Sequence, residues 1–99
     1  MRKVSRAPVS LQVTAAQRQQ SGDRTVVTHL HGINKGKHWC LSMDDAYRAV
    51  TAGMYCLYVL EGDDRRKLAP VSQGRLEAIG RAQAQDLLLL LPEAAVVLN

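Results

Sequence analysis

The stretch Ser42–Glu61, SMDDAYRAVTAGMYCLYVLE, predicts one capped helix that turns directly into one buried strand. The Ser42 hydroxyl can accept a hydrogen bond from a free amide of the first helical turn. The acidic side chains that follow add negative charge where the helix dipole is positive. Apolar residues recur at helical spacing, and Gly53 stands where a left-handed residue commonly ends a helix. We therefore predict a helix over about residues 43–52.

The segment after this helix, Met54–Leu60, is rich in aromatic and branched residues and contains neither Gly nor Pro. Near-continuous apolarity predicts a strand that is covered on both faces or lies in the middle of a sheet. Gly62 begins a turn signal, after which Arg65–Ser72 could return as a hairpin partner. Pro70 restricts that partner to an edge or to an irregular end.

The first part of the chain predicts further strands. Residues 9–14 alternate between apolar and polar, which indicates a half-buried strand. Residues 15–24 are polar and predict a loop with at most one helical turn. Residues 25–31 and 38–41 predict two strands, which the glycine-containing loop 32–37 joins as a hairpin. The pattern as a whole predicts an α+β fold with a small antiparallel sheet of about four to five strands.

The C-terminal part allows two interpretations. Residues 74–91 could form one helix, since good helix formers occur throughout. Alternatively, residues 75–79 form a short strand closed by Gly80, and a short helix follows over about residues 83–91. Pro92 ends the segment in either case.

A run of consecutive leucines points in every direction around a helix, so it must be buried all round or meet a second surface. The segment is therefore either a helix that caps the core or a dimer contact, because an unburied apolar patch usually marks association. The interface candidates are Leu87, Leu88, Leu89, Leu90 and Leu91.

The composition is that of one small globular domain. The chain has 99 residues, of which 46% are hydrophobic and 22% charged, and its net charge is +4. This length supports a single modest core, so we expect residues 25–99 to form one domain after a basic, partly mobile segment over residues 1–24. Few cysteines, no secretory signal and no apolar run of membrane-spanning length predict a cytoplasmic protein without membrane association.

The histidines of the chain all fall in the predicted hairpin, together with one cysteine. If His31 lies opposite His38, then His29 lies opposite Cys40, and the four side chains share one face of the strands. Imidazole and thiolate are common zinc ligands, so these residues are candidate zinc ligands. The alternative is that the histidines hydrogen-bond locally and that the cysteine is simply buried. A register change of one residue would separate the four.

Several short motifs follow one another in a particular order. They are His31-Gly32-Ile33, Trp39, Ser42–Ala46, Ala52–Tyr55, Tyr58-Val59 and Asp86–Pro92. In this order and spacing they resemble a family of small bacterial and phage proteins known as domain of unknown function 3892. The resemblance covers residues 25–93, although Leu87 stands where that family usually has Asn. It implies a compact α+β domain and favours the strand interpretation of residues 75–79, and it implies no activity, cofactor or catalytic residue.

Nucleic-acid binding is one functional hypothesis, because the positive charge permits contact with phosphates and Trp39 is a candidate stacking group. The candidate nucleic-acid contacts are Arg2, Lys3, Arg6, Lys35 and Lys37. The alternative for the first three is a basic, solvated tail. Neither a GxxxxGK[ST] nor a GxGxxG motif supports nucleotide binding.

The sequence favours a non-enzymatic interaction or accessory module that acts through a protein partner or as a homodimer. Cys40 and a neighbouring histidine could form a nucleophile–base pair, but the pattern identifies neither oxyanion donors nor an orienting group. Nucleic-acid binding is the second hypothesis, and zinc binding through the hairpin is the third.

Overall fold

The computed structural model describes residues 7–60 and 67–95, which form a five-stranded sheet and two helices. The elements are β1 (Val9–Ser21), β2 (Arg24–Asn34), β3 (Lys37–Ser42), α1 (Met43–Thr51), β4 (Tyr55–Leu60), β5 (Leu68–Val71) and α2 (Gln73–Leu88). The turn predicted at Gly62 and the basic residues Arg2, Lys3 and Arg6 lie outside the described residues.

The sheet has the strand order β3-β2-β1-β4-β5, which confirms the α+β fold class. Neighbouring strands are antiparallel except for β1 and β4, which are parallel. The prediction of a wholly antiparallel sheet is therefore wrong. Parallel strands need a long crossover connection, and here β2, β3 and α1 together provide it.

Helix α1 and strand β4 confirm the predictions made from the first stretch. The Ser42 hydroxyl accepts a hydrogen bond from the Asp45 amide at 3.1 Å, and the helix ends before Gly53, whose φ is 74°. Strand β4 lies between β1 and β5 and is thus central. Strand β5 contains Pro70 and lies at the edge, as the proline requires.

Strand β1 is longer than its alternating pattern indicates. Residues 15–21 continue the strand and pair with β2, so the loop predicted over residues 15–24 is wrong. Two irregularities in the β1–β2 ladder, at Thr14 and at Thr28, change which side chains face the core. They break the period-2 alternation, and the side chains of this half of β1 are mostly polar. The sequence pattern therefore did not predict a strand here.

Helix α2 starts at the Ser72 cap and continues through residues 75–79, so the strand interpretation of these residues is wrong. The Ser72 hydroxyl accepts from the Arg75 amide at 3.5 Å. Gly80, with φ of 76° and ψ of 171°, interrupts the helical backbone. The segment thus consists of helical turns on both sides of a kink, which explains why two interpretations fitted its sequence.

Both helices pack on one face of the sheet. Leu30, Leu57 and Val71 from three strands meet the apolar residues of α1 and α2 there. The segment after α2 is held against β1, because the Arg18 guanidinium donates to the carbonyl oxygens of Leu89, at 2.6 Å, and Leu91. The opposite face of the sheet carries the histidines, so the fold separates its core from that face.

Candidate functional site

Four strand ends meet at one end of the sheet. Because β1 and β4 are parallel, their first residues, Val9 and Tyr55, lie side by side in the ladder. Strand β2 runs the opposite way and ends here at Asn34, and β3 begins here at Lys37. We call this end of the molecule the tip, defined by residues 9–11, 33–39 and 54–55.

The β2–β3 turn extends from the tip. Lys35 and Gly36 have φ values of 53° and 77°, as a two-residue turn of type I′ requires at both central positions. The side chains of Lys35 and Lys37 are exposed. The tight turn therefore presents two cations at the tip without a flexible loop. The loop predicted over residues 32–37 is shorter than expected, since β2 continues to Asn34.

An open groove of about 490 Å³ lies at the tip. It combines aliphatic and aromatic side chains with cationic ones, and among residues 7–60 and 67–95 no acidic side chain lines it. The lining residues are Val9, Leu11, Asn34, Lys35, Lys37, His38, Trp39, Leu41 and Tyr55. Such a groove suits a ligand that is apolar on one side and negatively charged near the turn.

The indole of Trp39 is placed in the groove by Gly32. The two residues lie directly opposite each other in the β2–β3 ladder. A Cβ atom on Gly32 would overlap the indole ring and the Gln12 carbonyl oxygen, so only glycine permits this approach. The indole nitrogen of Trp39 is buried and has no hydrogen-bond partner among the described residues. Trp39 thus lies on the core face of β3.

Large apolar side chains are exposed at the tip. Val9 is 50% exposed, Met54 60% and Ile33 59%. Val9 lines the groove, whereas Ile33 lies opposite His38 and therefore on the face that carries the histidines. The only other large apolar residues of the described chain with comparable exposure, Leu68 and Leu90, lie elsewhere. Exposed apolar residues that cluster at one place mark an interaction site more often than residues that are scattered singly.

The histidines and Cys40 share one face of the β2–β3 hairpin, although the register differs from the expected one. His31 lies opposite Cys40, His38 lies opposite Ile33, and His29 lies opposite Ser42. The difference amounts to two residues, an even number, and therefore leaves every side chain on the predicted face.

His31 is the centre of this cluster. Its Nε2 atom lies 3.6 Å from the Cys40 Sγ and 3.3 Å from the Gln17 Oε1, and its ring centroid lies 5.5 Å from that of His38. The ring of His29 turns to Thr28 instead, with Nδ1 3.1 Å from the hydroxyl. In the part of the chain that the structure describes, no three His, Cys, Asp or Glu side chains are grouped closely enough to hold a metal ion.

Within the part of the chain that the structure describes, the Cys40–His31 pair lacks the third group that a nucleophile–base pair uses. In such sites an acceptor on the second ring nitrogen orients the imidazole. Here the Nδ1 atom of His31 is buried and finds no partner among the described residues, while Gln17 and Cys40 both approach Nε2. The arrangement therefore favours a neutral ring with its proton on Nε2, where acceptors are present.

Burial of His31 lowers its pKa, and the nearby rings of His38 and His29 lower it further. Between this lowered pKa and the ordinary value of 6.5, the unfolded chain binds more protons than the folded one. We therefore expect the contribution of His31 to the free energy of unfolding to be complete above pH 6.5. This contribution should be lost as the pH falls from 6.5 through the lowered pKa. Chemical denaturation at a series of pH values measures this loss.

Two variants assign the pH dependence. His31→Gln should lose most of the slope, because the titrating ring is gone. His38→Gln should keep most of it, because burial is the largest cause of the shift. An unchanged slope in His31→Gln would show that another group is responsible.

Most of the leucines that were predicted to form an interface pack inside the protein. Leu88 and Leu91 are core residues, and Leu87 and Leu89 are partly buried against the core. Leu90 alone of the five projects, with 70% exposure. The run therefore mostly covers the core, as the alternative prediction had it, although only Leu87 and Leu88 belong to helix α2.

No pattern in the sequence marked Val9 and Tyr55 as members of a site. They are brought to the groove by the parallel pairing of β1 with β4, whose residues are more than forty positions apart in the sequence. Lys35, Lys37, Trp39 and the candidate zinc ligand His38 were candidates from the sequence, and the structure places these four in one groove.

Comparison with known proteins yields no relative. No family model, no curated protein and no solved structure matches the chain. The resemblance to domain of unknown function 3892 therefore stays a prediction. None of the helices in the described residues is long and apolar enough to cross a membrane.

Proposed function

We propose that the chain is a small non-enzymatic interaction module that binds a protein partner at its tip. The observation that supports this most is the exposure of Val9, Ile33 and Met54 at the tip, beside a groove that Val9, Trp39 and Tyr55 line. Aromatic residues and methionine are enriched at protein interfaces, and exposed aliphatic side chains gain from burial against a partner.

The cations of the tip add selectivity to this surface. Lys35 and Lys37 stand beside the apolar groove, and the net charge of the whole chain is +4. Charges at the rim of an interface mainly steer encounter and exclude partners of the same sign. A partner with an acidic segment is therefore favoured over a basic one.

Nucleic-acid binding is the second candidate. The groove brings Lys35, Lys37 and Trp39 together with Tyr55, a combination of cations and rings that single strands use. Exposed Val9, Ile33 and Met54 favour the protein partner, because aliphatic side chains offer neither charge nor a stacking surface. A homodimer through the same surface belongs to the first candidate.

Photo-crosslinking from the tip tests the proposal. A benzophenone amino acid replaces exposed Met54, and a matched control carries it at Glu77, which is exposed on α2. After irradiation in the cells that contain the protein, we expect a defined protein adduct from position 54 and none from position 77. An adduct of twice the chain mass would identify the partner as a second copy.

Competition makes the result specific for the tip. Excess unlabelled wild-type chain should suppress the adduct, and a Val9→Asp competitor should not, since it places a charge at the groove. The proposal fails if both positions crosslink equally, or if position 54 gives no protein adduct.

A further inference from the structure

Strand β3 is an edge strand that runs along the groove. It pairs with β2 on one side, and in the described residues no segment pairs with its other side. Lys37, Trp39 and Leu41 of β3 line the groove. An exposed edge offers unpaired amide and carbonyl groups to an extended segment of another chain.

The turn determines which backbone groups of β3 point outward. A two-residue turn closes on a hydrogen-bonded pair, here Asn34 and Lys37, and such pairs alternate with non-bonded ones along an antiparallel ladder. The backbone amides and carbonyls of His38 and Cys40 therefore face away from β2. These are the groups that an added strand would bond.

The side chains of an added strand would alternate between two surroundings. On one face they would lie next to Trp39 and Leu41 of the groove, which are half-buried and apolar. At the turn end they would meet Lys35 and Lys37, which are exposed cations. Every second position of the strand thus calls for an apolar side chain, and the end beside the turn calls for an acidic one.

We propose that the tip binds an extended segment of a partner protein, which adds to the sheet at the edge of β3. The segment has apolar side chains at alternate positions and an Asp or Glu at the end that lies beside Lys35 and Lys37. This inference rests on the proposed function and adds to it the kind of partner and the manner of its binding.

The charge of β3 argues against a second copy as the occupant. The strand contains Lys37 and His38 and no acidic residue, so another β3 brings no charge that complements the lysines. A nucleic acid would complement the charge of the lysines. It has no peptide backbone, however, that could form successive hydrogen bonds with the amides and carbonyls of His38 and Cys40.

Selection from a random dodecapeptide display library tests the inference. We expect the selected peptides to share apolar residues at alternate positions and an acidic end. A synthetic representative should change the fluorescence of Trp39, the single tryptophan of the chain, as it binds. Methylation of the peptide nitrogens on one edge should weaken binding about tenfold or more, and on the other edge should leave it unchanged.

Charge variants complete the test. Lys37→Glu should weaken the selected peptide about tenfold, whereas Lys67→Glu, an exposed lysine beside the far edge strand, should leave it unchanged. The inference is overturned if no peptide is selected, if the apolar residues recur at helical spacing, or if methylation of either edge has no effect. It is also overturned if a labelled dodecathymidylate binds at the tip and the peptides do not.

The two failures are distinguishable. A crosslink from position 54 without strand-like peptides would leave the interaction module standing and remove only the added strand. Loss of both results would remove the proposed function itself.

Discussion

Gly32→Ala lowers the free energy of unfolding by about 3 kcal/mol, the cost of overpacking a rigid site. The added methyl would overlap the Gln12 carbonyl oxygen and the indole of Trp39. One of these neighbours is backbone and the other is a large ring against the core, so neither moves cheaply. Urea denaturation gives the loss, and the emission of Trp39 in the native state reports the displaced indole.

Gly74→Ala is the matched control. Position 74 lies in the first turn of α2, and a Cβ there meets nothing within 4 Å. Alanine is the better helix former, so this change should be neutral or should stabilise the protein by up to about 1 kcal/mol. Equal losses in the two variants would show that the contact with Trp39 is not the cause. Because the indole lines the groove, Gly32→Ala should also weaken binding of the selected peptide.

Gln85→Ala also lowers the free energy of unfolding by about 3 kcal/mol, because it leaves two buried backbone groups unpaired. The Gln85 amide donates from Nε2 to the Val27 carbonyl at 2.9 Å, and its Oε1 accepts from the Val27 amide at 2.8 Å. Strand β3 ends at Ser42, opposite His29. Gln85 thus takes the place of a neighbouring strand where β3 has left the sheet.

Two further variants isolate this pair of hydrogen bonds. Gln83→Ala changes an exposed residue of the same helix and should alter stability by less than about 0.5 kcal/mol. Gln85→Glu keeps an acceptor for the Val27 amide but sets a carboxylate against the Val27 carbonyl, so it should destabilise as well. Hydrogen exchange of the Val27 amide should accelerate in both Gln85 variants. A Gln85→Glu protein as stable as the wild type would contradict the assignment.

The tip shows which parts of a binding site a local sequence pattern can predict. Trp39 and the lysines of the turn were candidates for nucleic-acid contact because of their residue types. Their joint position in one groove depends on the two-residue turn and on Gly32, and the apolar members come from strands distant in sequence. In our proposal, the composition of the groove moves these side chains from the nucleic-acid hypothesis, which ranked second, to the protein-partner hypothesis, which the sequence already favoured.

The C-terminal segment shows the same limit in another form. Residues 75–79 fitted both a helix and a strand. In the structure the Ser72 cap starts a helix, and the kink at Gly80 divides it into two helical parts. The leucine run is apolar on every side, so its sequence does not predict which leucines face the core. Packing against the sheet and the Arg18 contacts to the last carbonyls place Leu88 and Leu91 inside.

The sequence by itself determined α1, with its Ser42 cap and glycine end, and the central strand β4. It also determined the face on which the histidines lie. These features depend on neighbours within a few residues, where backbone capping and side-chain period act directly. The tertiary structure alone decided the parallel pairing of β1 with β4, the polar half of β1 and the tip groove. The parallel pairing and the groove join residues far apart in the chain, and no local pattern encodes these contacts. The polar half of β1 pairs with β2 across a tight turn at Gly22, so its contacts are local, but its polar side chains and the ladder irregularities remove the period-2 pattern.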